Sequence, residues 1–410
     1  MKIARVTVPP TAGLPLRLSD LWPWGDANFD DALARWLGVP ETLLACSCTS
    51  ALMVALRTLK KKAPGRTEVI VPAYTCPLVA MAVSQCGLQI RLCDLGRDTL
   101  DMDEEVLRTL CSERTLAIVP THLGGRVADV RVAVHYARLC GAWVIEDAAQ
   151  ALGARVNGES VGLQGDIGLF SLAVGKGLTT YEGGVLIARD AQLFESLRAM
   201  DMRTVPFRLG WELLRSAELL GYAAVYRPAT LDWAYGAPLR KSLAEDDWIA
   251  AAGDDFDAFI PQHTLGRWRQ RVGVRALGRL TAHLSQAEAR ARHRIARLAD
   301  IPGVQVVRDA APHAEGTWPV LLLRLRYRQS RDALLRAHWA SGLGLSLPFV
   351  NVLPDYARYA PLLGAAQNDG VMYARDWAQR LVAVSNSEWL TDALFERLCG
   401  HIAEIAAPLP

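Results

Sequence analysis

One lysine stands apart from the other charged residues of this sequence. Lys176 lies in SLAVGKGLTTYEGG (residues 171–184), where Glu182 is the only other charge and the remaining residues are small, hydroxylated or apolar. An amine among such neighbours loses hydration, which makes it less basic and more nucleophilic. A lysine that forms a Schiff base requires these properties. This stretch alone leaves open a plainer alternative, a loop lysine that extends its ammonium into solvent.

A carboxylate and an amide lie close together in VIEDAAQALGA (residues 144–154). Asp147 ends a predicted buried strand, where an unpaired charge would cost on the order of several kcal/mol. A protonated pyridine nitrogen would be a suitable partner for it. Gln150 could donate a hydrogen bond to an oxygen on the same ring. The structural alternative is an aspartate that caps the following turn.

Hydroxyl residues precede a predicted helix in ACSCTSALMVALRTL (residues 45–59). A helix N-terminus offers free N–H groups that suit a phosphate, and Thr49 and Ser50 would add hydroxyl groups. Ser171 could complete the phosphate site, although an ordinary helix cap is an equally good interpretation of the stretch. Together, a reactive lysine, an aspartate for a pyridine nitrogen and a phosphate site describe pyridoxal 5'-phosphate (PLP) as the cofactor.

Alternating strands and helices must position these residues. Apolar runs predict strands at 68–72, 88–94, 115–122, 142–147 and 183–188, with helices at 77–87, 103–111 and 129–140 between them. Such strands indicate a parallel sheet that is covered on both faces. Ligands bind at the carboxyl ends of these strands, where Tyr74, His122 and Asp147 lie.

The second half of the chain is organised differently. An aromatic segment at 205–260 interrupts the pattern and predicts one or two amphipathic helices. A charged helix is predicted at 283–300, and residues 301–410 predict a small α+β unit. Its strands are predicted at 304–307 and 318–326, and its helices near 329–340, 371–382 and 391–406. We therefore expect a large domain at 1–262 and a linking helix with a small domain at 263–410.

Composition limits the class of protein. Of the 410 residues, 51% are hydrophobic, and a net charge of +2 gives no reason to expect nucleic acid or an acidic membrane surface as a partner. The eight cysteines are scattered, which predicts free thiols, a cytoplasmic location and no metal site. The N-terminus lacks a signal-peptide pattern, and the apolar run 219–226 is too short to span a bilayer.

The order of CTSAL, IVPAYT, PTHLGGRVAD, VIEDAAQALGA, GDIGLFSLAVGK and TTYEGG closely resembles the DegT/StrS sugar aminotransferase group of fold-type I PLP enzymes. The resemblance covers residues 40–190 and continues more weakly through 260–410. It implies an α/β fold in which helices flank a mainly parallel, seven-stranded sheet, with a small C-terminal α+β domain. It also implies a homodimer with shared active sites.

The resemblance assigns roles to individual residues. Lys176 would form the Schiff base, Asp147 would pair with the pyridine nitrogen, and Gln150 would face the ring oxygen. The phosphate would be held by Thr49, Ser50 and Ser171. An amide from the second subunit reaches the phosphate in this family, and Gln262 aligns with that position, where the family usually has asparagine.

Several positions depart from the family pattern. Cys48 replaces the usual glycine of the phosphate loop, and Cys76 replaces the aromatic residue that stacks on the cofactor. Tyr74 or His122 could take over that stacking role. The family's C-terminal histidine segments are replaced by LPFVNVLPDY (347–356) and AVSNSEWLTD (383–392). Since these segments help to shape the acceptor pocket, the acceptor could differ from an ordinary nucleotide-linked keto-sugar.

The resemblance implies transfer of an amino group from an amino acid, glutamate or glutamine, to a keto group of a sugar or related intermediate. A PLP-dependent dehydratase, an aminotransferase for a polyketide or lipid-like carbonyl, and a non-catalytic scaffold are the alternatives. A Rossmann oxidoreductase is disfavoured because no G-x-G-x-x-G follows an early strand. The 205–260 segment would either pack on a partner subunit or cover a larger substrate or touch a membrane.

Overall fold

The computed structural model describes residues 8–9, 11–368 and 370–406. The strands are β1 (Leu43–Ala45), β2 (Glu68–Pro72), β3 (Gln89–Cys93), β4 (Thr115–Ile118), β5 (Trp143–Asp147), β6 (Arg155–Val156), β7 (Glu159–Ser160), β8 (Ile167–Ser171), β9 (Gly184–Ala188), β10 (Val304–Val306), β11 (Ala314–Glu315), β12 (Val320–Leu325), β13 (Leu345–Ser346) and β14 (Leu381–Ser385).

The helices are α1 (Phe29–Leu37), α2 (Cys48–Lys62), α3 (Pro77–Gln85), α4 (Glu104–Leu110), α5 (Arg131–Cys140), α6 (Ala191–Thr204), α7 (Leu209–Val225), α8 (Ala237–Ala244), α9 (Trp248–Ala252), α10 (Arg267–Leu277), α11 (Leu280–Ala299), α12 (Arg328–His338), α13 (Met372–Arg380) and α14 (Asp392–Ala406). Short 3₁₀ segments lie at Leu18–Leu21, Leu123–Gly125, Leu353–Asp355 and Ala360–Asn368, and a π-helical turn lies at Asp232–Gly236.

The main sheet has seven strands in the order β1-β9-β8-β5-β4-β2-β3. Strands β2, β3, β4, β5 and β8 pair in parallel, while β9 is antiparallel to both of its neighbours. This confirms the predicted α/β fold with a mainly parallel, seven-stranded sheet. The predicted strands at 68–72, 88–94, 142–147 and 183–188 are all present, whereas β4 ends at Ile118, before the predicted end at residue 122.

Alternation along the strands determines which helices cover each face of the sheet. Val69 and Val71 lie in the core with residues of α2 and α3, whereas Ile70 packs with residues of α4 and α5. Strands β2 and β4 are buried along their whole length. A parallel sheet that is covered on both faces requires such apolar strands, which is why their sequences lack polar alternation.

The C-terminal unit contains a four-stranded antiparallel sheet in the order β10-β12-β14-β13. Strand β12 confirms the strand predicted at 318–326. The helix predicted at 371–382 is wrong at its end, because α13 stops at Arg380 and β14 begins at Leu381. Every residue of β14 is buried between β12 and β13, and the apolar run LVAVS suits that central position.

Helix α10 follows residue 262, the predicted domain boundary, yet it packs with the N-terminal unit. Val272 and Ala276 of α10 share a core with Leu33 of α1. Gly273 allows this contact, because a β-carbon there would lie 2.6 Å from the Phe29 ring. By its packing, α10 therefore belongs to the N-terminal unit, and the antiparallel sheet with its helices comes after it in the chain.

The aromatic segment contains more helical structure than the one or two helices predicted. It forms α7, the π-helical turn, α8 and α9. Tyr222 and Tyr226 of this segment stack with ring centroids 4.6 Å apart. No helix in the described part of the chain is long and apolar enough to cross a membrane.

We predict that Asp201→Asn stabilises the protein at high pH. Asp201 lies near the end of α6, burial raises the pKa of its carboxyl to about 6, and its Oδ1 has no hydrogen-bond partner among the described residues. Because its pKa is higher in the folded protein than in the unfolded chain, the folded protein favours the protonated carboxyl of Asp201. The stability that this preference supplies is present at low pH and is lost as the pH rises through about 6. The variant should be more stable by about 1–2 kcal/mol at pH 8 and unchanged near pH 4.

Urea denaturation at both pH values measures this difference. Asp257→Asn, at an exposed position, is the control and should change stability at neither pH. An equal effect of Asp201→Asn at both pH values would contradict burial of the charge as the cause.

Candidate active site

A cavity of about 440 Å³ lies at the carboxyl end of the parallel strands and extends to the C-terminal unit. Of the residues predicted from the sequence, those that line it are Thr49, Cys76, His122, Asp147, Gln150, Ser171 and Lys176. Ser50, Tyr74 and Gln262 are not among the lining residues. The cavity is within the size range of small-molecule sites. Side chains that are far apart in the sequence therefore meet at one end of the sheet.

Lys176 lies in the turn between β8 and β9. Backbone hydrogen bonds close this turn, from Leu172 N–H to the Gly183 carbonyl (2.8 Å) and from Val174 N–H to the Tyr181 carbonyl (3.1 Å). Gly175 has a φ of +79°, in the left-handed region that glycine favours. The turn thereby presents Lys176 to the cavity at the end of two paired strands.

The N-terminal segment braces this turn, which the sequence alone did not indicate. The Thr11 hydroxyl donates to the Gly175 carbonyl, and Leu14 N–H donates to the Gly177 carbonyl (2.9 Å). A β-carbon at Gly13 would lie 2.4 Å from the Lys176 carbonyl oxygen. Glycine is therefore required at position 13 for the two segments to approach this closely.

Burial lowers the pKa of the Lys176 amine, as the sequence predicted. Cys76 and Asp147, which lie nearby, oppose this shift in part. A lowered pKa increases the fraction of neutral amine at a given pH, and the neutral amine is the nucleophile. Lys176 therefore has the property that a Schiff-base lysine needs.

Asp147 is held at the end of β5. Burial raises the pKa of its carboxyl, while the N–H of Ala149 donates to Oδ1 (3.1 Å) and the nearby Lys176 and His122 favour the ionised form. A buried carboxylate gains most from a partner that brings a proton or positive charge. Asp147 therefore suits a protonated ring nitrogen.

His122 lines the cavity and has a fixed tautomer. Its Nδ1 accepts a hydrogen bond from Ala128 N–H (3.1 Å), so the ring proton is on Nε2, which lies 3.0 Å from Glu146 Oε2. Glu146 also accepts from Gly162 N–H (2.8 Å) and Gly165 N–H (2.5 Å). The imidazole is thus held rigidly, and its plane could support a flat ring.

Gln150 can offer the cavity a donor. The N–H of Gly124 donates to Gln150 Oε1 (2.6 Å). Because a backbone N–H can only donate, this contact fixes which side-chain atom is the oxygen. The NH₂ group is therefore the donor that Gln150 can offer, and its predicted contact with an oxygen of a bound ring stays a prediction.

The N-terminus of α2 forms another part of the cavity wall. Ser47 is the N-cap, and its hydroxyl accepts from Ser50 N–H (3.0 Å). A β-carbon at Gly184 would lie 2.4 Å from the Ser47 carbonyl oxygen, so Gly184 lets β9 approach the cap. Thr49 and Ser171 line the cavity, as expected for a phosphate site. The α2 N-terminus therefore supplies N–H groups and hydroxyls together.

The structure does not bring Ser50 to this wall. Its hydroxyl is buried, has no hydrogen-bond partner among the described residues and lies beside the Cys46 thiol. Thr49 and Ser50 are consecutive in a helix, so their side chains point about 100° apart. Only Thr49 faces the cavity.

Tyr74 also lies away from the cavity. Its hydroxyl donates to the Phe349 carbonyl (2.9 Å), and its ring contacts the Phe349 ring edge-on. Cys76 does line the cavity, and burial raises the pKa of its thiol to about 12. Of the two residues considered for the stacking role, His122 is therefore the one at the cavity.

Gln262 contacts α2 within the same chain. Its Oε1 accepts from Arg57 Nη1 (2.7 Å). The residue does not line the cavity of its own chain. Contact with the cofactor of another subunit, as the resemblance implies, stays a prediction.

Asp254 connects the aromatic segment to the cavity wall, and the sequence did not single it out. Its Oδ2 accepts from Val350 N–H (2.8 Å) and from the Tyr356 hydroxyl, and its backbone carbonyl accepts from the Tyr359 hydroxyl (2.7 Å). Residues 252–254 and Phe256 thereby line the cavity opposite the sheet, together with residues 346–349.

A second polar cluster, Cys46, Glu182 and His263, has ligand atoms within 4.8 Å of one another. The cysteine and the carboxylate of this cluster already have partners. The Cys46 thiol donates to the Pro261 carbonyl (3.3 Å), and Glu182 Oε2 lies 2.6 Å from Arg215 Nε. A guanidinium at that carboxylate disfavours a cation, so we assign this cluster to packing and charge balance.

Comparison with known proteins decides which family this site belongs to. A sequence model of the DegT/DnrJ/EryC1/StrS aminotransferase family matches residues 25–215. Residues 25–215, somewhat less than half of the chain, therefore resemble this family. The match spans the α2 N-terminus, the end of β5 and the Lys176 turn, and it confirms the resemblance that the sequence motifs indicated.

Two curated proteins are similar to part of the chain. GDP-perosamine synthase of Caulobacter vibrioides is 37% identical over 173 residues, which cover 42% of this chain and 46% of the relative. L-glutamine:2-deoxy-scyllo-inosose aminotransferase of Streptomyces fradiae is 37% identical over 203 residues, which cover 48% of this chain and 47% of the relative. The chain thus matches somewhat less than half the length of these relatives.

The fold extends further than the sequence match. Spr1654 from Streptococcus pneumoniae, solved in its PLP form, superposes with a TM-score of 0.69 at 18% identity, over 99% of this chain and 93% of that chain. This confirms the predicted fold-type I architecture, including its C-terminal unit.

We predict that Glu146→Gln destabilises the protein by about 2–4 kcal/mol. The side chain is fully buried, and both carboxylate oxygens accept hydrogen bonds from N–H groups. In the glutamine variant an NH₂ group would replace one of these oxygens, and it would face an N–H group that also donates. Urea denaturation measures the loss.

Glu159→Gln is the matched control, because its side chain is 61% exposed, and it should change stability by about 0.5 kcal/mol or less. A neutral effect of Glu146→Gln would show that the network around His122 does not depend on the carboxylate.

Proposed function

We propose that this protein is a PLP-dependent aminotransferase that moves an amino group from an amino acid to a keto group of a sugar or related intermediate. The observation that carries the proposal is that Lys176 and Asp147 share one cavity with the N-terminus of α2. The family and the named activities of its curated relatives support the same reaction class.

The residues present fit PLP as the cofactor. The cavity offers a poorly solvated amine at Lys176, a buried carboxylate at Asp147 and hydroxyls at Thr49 and Ser171. The amine of Lys176 suits the aldehyde of PLP, the carboxylate of Asp147 suits its ring nitrogen, and the two hydroxyls suit its phosphate. Gln150 would donate to the ring oxygen, and His122 would support the ring. The PLP form of Spr1654, which has the same fold, supports this assignment.

Bound PLP supplies an electron-accepting ring, which stabilises the electron pair left when a proton leaves the α-carbon of an amino acid. Asp147 would keep a proton on the ring nitrogen, because its buried negative charge favours the protonated form. Lys176 would hold the cofactor through Nζ, and its free amine would move the proton of the α-carbon. The wall opposite the sheet excludes water from this proton transfer.

The acceptor end of the cavity is apolar. Leu347, Pro348, Phe349 and Phe256 line it, and Lys176 is the only lysine or arginine among the described lining residues. A doubly charged pyrophosphate would find no guanidinium there to pair with. We infer that the part of the acceptor that enters this cavity is uncharged, as in a keto-cyclitol or the sugar ring of a larger substrate.

A dehydratase is the alternative activity. The family's known dehydratases carry histidine in place of the lysine, so Lys176 disfavours this reaction. A non-catalytic scaffold would have no need to keep Lys176, Asp147 and Gln150 around one cavity. The aminotransferase is therefore the function that the site supports best.

We further propose a homodimer in which Gln262 reaches the phosphate bound by the other subunit. The resemblance carries this proposal, and glutamate or glutamine as donor rests on the same analogy. A cytoplasmic location is supported by the eight cysteines, all of which are free. Reducing compartments keep thiols in this form.

We predict that Lys176→Ala lowers the rate of transamination at least about 10³-fold, because no other lysine is among the described residues that line the cavity. Borohydride reduction of wild-type protein with PLP should label one peptide. Arg155 and Arg189 are the flanking trypsin sites, so blocked cleavage at Lys176 yields the peptide 156–189, which mass spectrometry identifies.

Lys61→Ala, at an exposed position, is the control and should retain both the label and the activity. Addition of L-glutamine or L-glutamate to the wild type should remove the yellow absorbance. Full turnover by Lys176→Ala, or a label on another lysine, would overturn the proposed function.

We predict that Phe256→Ala raises the KM for the keto acceptor about tenfold or more, because it removes an apolar wall of the cavity. The absorbance change caused by the amino donor should stay within about twofold of the wild type. Phe259→Ala is the matched control, since Phe259 lies in the same segment but is 61% exposed and does not line the cavity. Equal effects of both variants on KM would contradict a direct role for Phe256.

A further inference from the structure

Asp254 is a buried carboxylate on the cavity wall opposite the sheet, and the protein uses only one of its two oxygens. The Oδ2 atom accepts hydrogen bonds from Val350 N–H (2.8 Å) and from the Tyr356 hydroxyl. The Oδ1 atom receives no hydrogen bond from the described residues, yet it is not sealed within the protein. Because Asp254 is only 2% exposed and lines the cavity, the space that Oδ1 reaches is the cavity.

A purely structural role accounts for Oδ2 but not for Oδ1. The Tyr356 hydroxyl accepts from Val350 N–H (3.0 Å) and Asn351 N–H (3.1 Å), so its own proton is directed to Asp254 Oδ2. Burial raises the pKa of the Asp254 carboxyl, whereas the Tyr356 hydroxyl and Val350 N–H favour its ionised form. A buried carboxylate oxygen without a partner is costly, and a bound molecule that donates to Oδ1 would offset this cost.

Asp254 also lies near the reacting end of the cavity. Burial is the main cause that raises the pKa of the Cys76 thiol, and the charges of Lys176 and Asp254 also act on it. Cys76 therefore lies near both groups, and all three residues line the cavity. A thiol at position 76 leaves more space there than an aromatic ring would. A ring that presents its keto carbon to Lys176 can thus reach Asp254 with one of its substituents.

The neighbours of Asp254 indicate which substituent this is. Phe256 and Phe349 line the same wall and offer apolar surface. The Ser346 hydroxyl lies on that wall too, and it has no hydrogen-bond partner among the described residues. Apolar side chains beside a free carboxylate oxygen and a free hydroxyl suit a neutral ring that carries hydroxyl groups.

We propose that Asp254 is a specificity-determining residue, whose Oδ1 accepts a hydrogen bond from a hydroxyl group of the acceptor. Asp254 would favour a hydroxylated ring ketone, because a ring without hydroxyls leaves the buried carboxylate oxygen unpaired. This role rests on the proposed aminotransferase function and names the chemical class of its acceptor. Since Asp254 is held by contacts within one chain, its position on the wall does not depend on a second subunit.

Two ring ketones test the proposal with the full-length protein and PLP. scyllo-Inosose carries a hydroxyl on every carbon except the keto carbon, and cyclohexanone carries none. L-glutamine or L-glutamate first removes the yellow absorbance and is then washed out, and the rate constant for the return of the absorbance is measured with each ketone. The wild type should react with scyllo-inosose at least about tenfold faster than with cyclohexanone.

Asp254→Asn tests the carboxylate with little change in shape. The amide oxygen would keep the hydrogen bonds from Tyr356 and Val350, which leaves the NH₂ group in place of Oδ1. The rate constant with scyllo-inosose should fall at least about fivefold, because the acceptor hydroxyl loses a charge-assisted bond. The rate constant with cyclohexanone and the absorbance loss with the amino donor should stay within about twofold. Asp257→Asn, at an exposed aspartate of the same segment, is the matched control and should behave like the wild type.

The proposal is overturned if the wild type reacts with scyllo-inosose no faster than with cyclohexanone, a result that does not depend on the folding of any variant. An equal loss with both ketones in Asp254→Asn would also overturn it and leave Asp254 a structural role alone. Light scattering accompanies each variant, and a halved mass of Asp254→Asn would instead assign Oδ1 to a contact with a second subunit. If the amino donor leaves the yellow absorbance of the wild type unchanged, the proposed function itself fails, whereas the other results leave it standing.

Discussion

The site depends on one constraint, which is that an amine and a carboxylate must be kept out of water without losing their positions. Burial disfavours the charged forms of both Lys176 and Asp147, and each is the other's nearby opposite charge. Burial favours the neutral amine of Lys176, whereas the carboxylate of Asp147 needs a nearby positive charge because burial raises its pKa. Strands β5 and β8 are neighbours in the sheet and end side by side. The aspartate and the lysine turn that follow them therefore share one enclosed space.

The surrounding structure fixes these two groups from several directions. Glu146 is adjacent to Asp147 in β5, and it uses its buried carboxylate to hold His122 and two backbone N–H groups. The N-terminal segment fixes the lysine turn from the opposite side through Thr11 and Leu14. Because all of these contacts join segments that are distant in the sequence, the site forms only when the whole N-terminal unit has folded.

The aromatic segment (residues 205–260) contacts the rest of the structure near the cavity at two points. Glu182 belongs to the lysine turn and pairs with Arg215 of α7, while Asp254 attaches the end of the segment to the C-terminal unit. One end of the segment thus contacts the Lys176 turn, and the other end lines the cavity.

The sequence by itself predicted the parallel sheet, because apolar runs of this kind must be buried by any packing. It also pointed to Lys176, Asp147 and Gln150 through short motifs, and the structure places all three at one cavity. Only the tertiary structure decided that Thr49 faces the cavity and Ser50 does not, since this depends on the rotation of α2 about its axis. It also decided that β14 begins where α13 was predicted to continue, and that Asp254 and Thr11 reach the site. It also decided that Glu212 of α7 is buried, because the Arg269 side chain that pairs with it lies on another helix and is invisible to any pattern within α7.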